Sequence, residues 1–211
     1  EGGSMGDLYS RTDLRRDANG AIYMDESNNV YTQKIDNPDS YIKLGSVLPK
    51  GNLAWRNNFM WKNFHVGFMI SARLGGVVFS RTQAVLDKFG VSEASADARD
   101  NGFVLINGND RINPENWYTT VGSTAVPQYY TYSATNVRLQ EASIGYTIPR
   151  KWLANICDIK VSLIGRNLWM IYNKAPFDPE AVASTDNFYQ GIDNFMMPSL
   201  RNVGFSLNFK F

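Results

Sequence analysis

The residues able to carry chemistry are few. His65 is the only histidine in 211 residues, so neither a Ser-His-Asp arrangement nor a multi-histidine metal site can be assembled. On its own in an extended segment it reads as a polar filler. Cys157 is the only cysteine and has no histidine beside it, which makes it an inert thiol and rules out an internal disulfide. Asp178 and Glu180 are two carboxylates in one loop, the minimum for glycoside hydrolysis. The turn Asp17-Ala18-Asn19-Gly20 resembles the opening of a calcium loop, yet the fifth position is Ala21 and the twelfth is Asn28, so two ligands are missing. No catalytic residue, metal ligand or cofactor is expected, and the chain is not expected to be an enzyme.

A different chemistry is offered by Trp117, Tyr118, Tyr129, Tyr130 and Tyr132, clustered late in the stretch between Gly75 and Asn136. As a ligand-binding set they would form a platform for sugar rings, because aromatic faces give broad apolar area with a polar edge. As packing groups they would fix the loop to its neighbours or to a partner protein, where Trp and Tyr are favoured. Both readings stay open, with packing the commoner use. Disordered segments are poor in aromatics, so this loop should be ordered.

These residues must be positioned by strands. Apolar residues make up 44% of the chain and the net charge is +1, which gives no reason to expect a nucleic-acid partner. No run of about 18 apolar residues exists, so a transmembrane helix is excluded, but a membrane barrel spends only alternate residues on lipid. The last stretch, Asn202 to Phe211, alternates without a break. Val203, Phe205, Leu207, Phe209 and Phe211 fall on one face, with Asn202, Gly204, Ser206, Asn208 and Lys210 on the other. Such a face needs a cover of protein or lipid.

The same alternation marks Leu53 to Trp61 (interrupted by Asn57), Phe64 to Gly75, Val137 to Ile148 and Asp158 to Ile171, and more weakly Gly6 to Leu14. Arg138 and Gln140 fall on the apolar side of their strand, tolerable only beyond the bilayer, where charge costs little. Polar loops separate the strands at about 17–52, 76–135 and 172–200, alternating with short turns at Lys62-Asn63 and after Pro149. Helical spacing over Arg81 to Phe89 and a helix start at Asn113-Pro114-Glu115 lie inside the middle loop. In a membrane barrel the short turns face the periplasm and the long loops face outside. Trp61, Phe64, Tyr146, Phe209 and Phe211 would then share the periplasmic rim, with Trp55, Trp169 and Tyr172 towards the other. The expected fold is all-β, an antiparallel transmembrane β-barrel segment of about six strands with long extracellular loops, integral to the outer membrane. A closed barrel needs at least about eight strands, so this segment belongs to a larger one.

Three stretches carry a family resemblance. They are Asn136 to Pro149 (Asn-Val-Arg-Leu-Gln-Glu-Ala-Ser-Ile-Gly-Tyr-Thr-Ile-Pro), Gly165-Arg166-Asn167-Leu168-Trp169, and Phe177-Asp178-Pro179-Glu180. In order and spacing they resemble the carboxy-terminal barrel of SusC/RagA-type TonB-dependent outer-membrane transporters of Bacteroidetes. The Glu1 to Gly76 half agrees more loosely. The resemblance implies a 22-stranded barrel with an amino-terminal plug, energy relayed from TonB, a SusD-like surface lipoprotein as lid, and glycan oligomers or peptides as cargo. It implies that the chain works with the remainder of such a transporter, since no plug or TonB-contacting segment is present in it. It also gives Asp178 and Glu180 a structural role in the family's loop, and pairs Arg56, Lys62, Arg73, Lys160 and Arg166 with acidic groups of the plug, with lining a route for cargo as their secondary role. The residues alone leave two other readings, a barrel piece for adhesion or scaffolding and a soluble β-sandwich that binds carbohydrate.

Overall fold

The computed structural model describes residues 3–122, 126–153, 156–184, 186 and 189–210. The chain divides into two compact units. One gathers Glu1–Leu48, Val77–Tyr132 and Val182–Met196; the other gathers Pro49–Gly76, Ser133–Ala181 and Met197–Phe211.

The second unit is built on one antiparallel sheet of five strands. Its spatial order is Gly51–Trp61, Phe64–Leu74, Asn136–Ile148, Asp158–Asn173 and Asn202–Lys210. The register lines up the apolar positions in rows across the sheet: Trp61, Phe64, Tyr146, Val161 and Leu207 in one, and Phe59, Val66, Ile144, Leu163 and Phe205 in the next. A further row holds Trp55, Ile70, Leu139 and Trp169. Leu53 to Trp61 therefore runs about 26 Å along its strand, which at a barrel tilt of about 40° rises about 20 Å, within the apolar band of about 25 Å of an outer-membrane barrel wall. This face is uncovered, with Phe205 77% and Trp55 61% exposed. Phe211 lies outside the described residues.

Six strands are expected from the alternation, and the sheet holds five. The segment around Gly6 to Leu14 belongs to the other unit, where Asp7–Ser10 pairs with Ile42–Ser46 and Thr12–Leu14 with Thr32–Lys34. Its weak contrast between faces suits short pairs around a small core better than a membrane wall.

A second correction concerns Arg138 and Gln140. Leu139 pairs with Ile70 and Glu141 with Met69, so Gln140 is an extra residue bulged out of the ladder. One inserted residue reverses the facing of everything beyond it. Val137 and Leu139 thus take the apolar face, and Arg138, paired with Ser71 and Met170, turns to the polar one. The neighbouring strand bulges at the same height, with Asn167 and Leu168 between the Arg166 and Trp169 positions. Asn167 takes φ +50, a left-handed conformation that Asn accepts more readily than most residues. A Cβ on Gly165 would lie 2.6 Å from Leu168 Cδ2, so a larger residue there would push aside the leucine tucked in by the bulge. The Gly-Arg-Asn-Leu-Trp motif is the sequence of this bulge.

In the first unit the described residues of the middle loop form helices and short strands. Its helices are Arg81–Lys88, Glu93–Asn101 and Pro114–Val121, capped by the side chains of Ser80, Ser92 and Asn113. Helical spacing predicts the first and the Asn-Pro-Glu start predicts the third. Leu14, Val30, Ala84, Ile106, Ile112, Trp117, Val121, Val126 and Tyr130 form the core. Gly122 lets two of the helices meet, because a Cβ there would stand 2.7 Å from the Ala84 carbonyl oxygen and 2.7 Å from the Lys88 nitrogen. Two hairpin tips repeat one construction eight residues apart. The Asp17 Oδ1 accepts the N–H groups of Asn19 and Ala21, and the Asp25 Oδ1 accepts those of Ser27 and Asn29. The fourth residues of the two turns, Gly20 and Asn28, both have positive φ.

Candidate functional site

The polar face of the sheet carries a row of charge at the level of the bulge. Arg56, Met69, Glu141 and Arg166 stand in register across four strands. Arg56 reaches past Met69 to place Nη2 2.9 Å from Glu141 Oε1, while Arg166 Nε lies 3.4 Å from Glu141 Oε2. One carboxylate is thus shared by two guanidiniums, each still more than half exposed. The pairing of these two arginines lies within the sheet, where the family resemblance implies acidic groups of the plug. Lys62, in the short turn, sits over the Trp61 ring at 5.2 Å from its centroid. His65 Nε2 lies 2.8 Å from Thr147 Oγ1, as suits a polar filler. Cys157 is buried and free.

Above this row Arg138 is the centre of a buried cluster. Its Nη2 donates to Asp178 Oδ1 at 2.9 Å and lies 3.2 Å from Glu180 Oε2, its Nε lies 3.4 Å from Asn136 Oδ1, and its Nη1 lies 3.4 Å from Ser199 Oγ. Asp178 also accepts the N–H groups of Glu180 and Ser199, each at 3.1 Å. Burial pushes the Asp178 carboxyl up, but the Ser199 hydroxyl, these two amides and the Arg138 guanidinium together outweigh it and hold the pKa below the usual carboxylate value. Arg138 is 4% exposed and Asp178 8%. Both acids of the Phe-Asp-Pro-Glu loop are therefore engaged by one guanidinium, an arrangement that fixes the backbone of the loop. The sequence pattern misplaces Arg138, and only the bulge reveals it. The alternation does place Glu141 on the polar face with Ser143, Gly145 and Thr147, but not its two arginine partners.

The aromatic cluster divides. Trp117 and Tyr130 are buried in the core of the first unit, and Tyr118 and Tyr132 pack partly against it. Tyr129 is 39% exposed and meets the Trp117 ring edge-on at 5.6 Å between centroids. Burial raises the hydroxyl pKa of Tyr118, Tyr129, Tyr130 and Tyr132, and for Tyr130 the Asp87 carboxylate raises it further. These hydroxyls remain protonated donors at neutral pH. Tyr118 uses its own to bond the Ala94 carbonyl at 3.2 Å. Among the described residues no group of three or more His, Cys, Asp and Glu side chains could hold a metal ion. Asp17 directs its Oδ1 at backbone amides of its own turn.

An antiparallel sheet with one apolar face edged by aromatic rows and one polar face, with large ordered loops between its strands, is the architecture of an outer-membrane β-barrel wall. No helix of the described residues is long and apolar enough to cross a membrane. Comparison with known proteins narrows the class. The chain is 27% identical over 207 residues to the TonB-dependent receptor P3 of Formosa agariphila, an alignment covering 92% of this chain and 19% of that protein. Its fold matches the RagAB peptide importer in the closed-closed state with a TM-score of 0.61 at 16% identity, covering 97% of this chain and 22% of the matched one. The open-open state of that importer matches with a TM-score of 0.60 at 15% identity, with the same coverage. The similarity thus extends over nearly the whole chain, in sequence to a TonB-dependent receptor and in fold to the RagAB importer. The chain spans about a fifth of the length of these relatives. No family model matches it.

Proposed function

We propose that this chain forms five consecutive strands, with their loops, in the barrel of an outer-membrane TonB-dependent nutrient importer. The observation that carries the reading is the five-stranded sheet, apolar and uncovered on one face, whose outer strands Gly51–Trp61 and Asn202–Lys210 are, among the described residues, each paired on one side only. Unpaired backbone cannot face lipid, so strands of the same transporter continue the sheet on both sides, in a barrel of 22 as the family resemblance implies. The row Trp61, Phe64 and Tyr146 sits at the periplasmic boundary, and the loops at about 17–52, 76–135 and 172–200 fold outside the cell.

The importer draws energy from TonB through a plug and works with a SusD-like surface lipoprotein. Its cargo is an oligomeric nutrient, a glycan or a peptide. Trp117, Tyr118, Tyr129, Tyr130 and Tyr132 belong to the outer loop that meets cargo or the lipoprotein, Tyr129 and Tyr118 through their exposed surface and the others by holding that surface in shape. The test is mass spectrometry of the intact complex extracted from outer membranes in mild detergent. Recovery of barrel, plug and surface lipoprotein together supports the reading. Recovery of this chain alone, soluble and monomeric, sinks it.

A further inference from the structure

The helices Arg81–Lys88, Glu93–Asn101 and Pro114–Val121 enclose a concavity of about 360 Å3, a size that suits a small ligand or one end of a longer one. Its lining combines two aromatic surfaces, Phe89 and Tyr118, with the cations Lys88 and Arg99 and one exposed carboxylate, Glu115. A second acid at the site, Asp87, is committed inward. It is 6% exposed, its Oδ1 accepts the Gln83 side-chain amide at 2.8 Å, and it is hydrogen-bonded to the Tyr130 hydroxyl.

The two cations are differently placed. Both are exposed, and neither enters an ion pair among the described residues. Lys88 Nζ lies 6.0 Å from the Phe89 ring centroid, and Arg99 Nη1 would lie 3.1 Å from a Cβ on Gly90, whose φ is +67. The bare glycine leaves the guanidinium approachable from that side. The Tyr118 hydroxyl is tied to the Ala94 carbonyl, which fixes its ring between two helices. Of the residues that line the concavity, the accessible charges are two cations and one acid, beside an apolar platform; the exposed Asp97 carboxylate also stands near enough to act on the Tyr118 hydroxyl.

We propose that this concavity binds the carboxylate end of a short oligomer. The Arg99 guanidinium takes the carboxylate in its fork, Lys88 adds a point charge, and the group next to the carboxylate lies against Phe89 and Tyr118. A carboxylate on an oligomer comes from the free end of a peptide or from the uronic acid of an acidic oligosaccharide, and the experiment separates these sources. The inference rests on the importer reading only in treating the ligand as cargo.

The test is calorimetric titration of the full transporter in detergent with three probes: the tripeptide Ala-Ala-Tyr, its carboxy-amidated form, and trigalacturonate. At least one free acid is expected to bind about tenfold or more tightly than the amide, a gap that shrinks as salt rises. The Lys88→Gln/Arg99→Gln double variant removes the difference and Arg99→Lys restores part of it. Both positions are exposed, so the fold should hold, and an unchanged circular dichroism spectrum checks that. Selective binding of the free tripeptide assigns a peptide source, and of trigalacturonate an acidic-sugar source. Equal affinity for acid and amide, no binding of either acid, or a preference that survives the double variant overturns the inference. Outer-membrane extraction tests the importer reading separately, so an intact importer without the preference sinks this inference alone.

Discussion

Arg138 and Asp178 form an ion pair 2.9 Å long between a sheet strand and the long connection that follows the next one, with both side chains less than a tenth exposed. The same guanidinium holds Glu180, and the same carboxylate takes the Ser199 amide from the far end of that connection. Both ends of the connection are thus tied to one residue of the sheet.

Replacing Arg138 by Met should cost about 3–5 kcal/mol, because it leaves a buried carboxylate without its cation. The loss should appear as a lower thermal midpoint of the detergent-solubilised protein and as new protease cleavage between residues 174 and 201. Combining Arg138→Met with Asp178→Asn should recover much of it. An unchanged midpoint in the single variant would show the pair to be dispensable.

The same cluster sets a pH dependence. The folded pKa of Asp178 is depressed, so its contribution is fully present above the ordinary carboxylate pKa of about 4 and is lost as pH falls below it. Protease resistance of the 174–201 connection should therefore hold at pH 6 and decline below pH 4. In Asp178→Asn the decline attributable to this group should vanish.

Asp25 shows the effect at an exposed hairpin tip. The Asn29 N–H and the Tyr31 hydroxyl lead the interactions that hold its pKa at about 2. The tip should stay formed down to pH 3, and Asp25→Ala should speed hydrogen exchange at the Ser27 and Asn29 amides. Exchange rates equal to the parent protein would refute that role.

Gly122→Ala tests the core of the first unit. The new Cβ would meet backbone, the Tyr118 carbonyl at 2.6 Å and the Lys88 nitrogen at 2.7 Å, which cannot rotate away. A loss of about 1–3 kcal/mol is expected from overpacking. Calorimetry of the parent and variant proteins provides the comparison.

The two faces of the terminal strand should respond oppositely to charge. Phe205→Arg places a cation in the middle of the apolar face and should cost about 2–4 kcal/mol of membrane stability, whereas Ser206→Arg, on the polar face, should be tolerated. Heat-modifiable mobility of the assembled barrel on gels distinguishes the two. Similar behaviour of both variants would argue against a lipid-facing band.

The helix Glu93–Asn101 shows how local signals can be present and still go unread. Ser92 caps its start and Gly102, at φ +80, its end, but its short polar sequence lacks the apolar spacing that marks Arg81–Lys88. Trp117 and Tyr130 show the converse. Their types were legible as a cluster, but whether each ring faces solvent or core depends on Leu14, Val30 and Ala84, which arrive from distant parts of the chain.

What the sequence by itself determined is the period-two alternation of the sheet strands, the aromatic rows at their ends, the placing of long loops and short turns, and the motifs that resemble those of SusC/RagA-type transporters. These are local, because a side chain's face follows from its position in an extended backbone. What only the tertiary structure decided is where that counting breaks. The bulge at Gln140 exists because Leu139 and Glu141 pair with the adjacent Ile70 and Met69. That pairing turned Arg138 away from the apolar face and brought it to two acids about forty residues downstream. Neither strand encodes the slip alone, since a register is a property of two chains held by hydrogen bonds and not of either one.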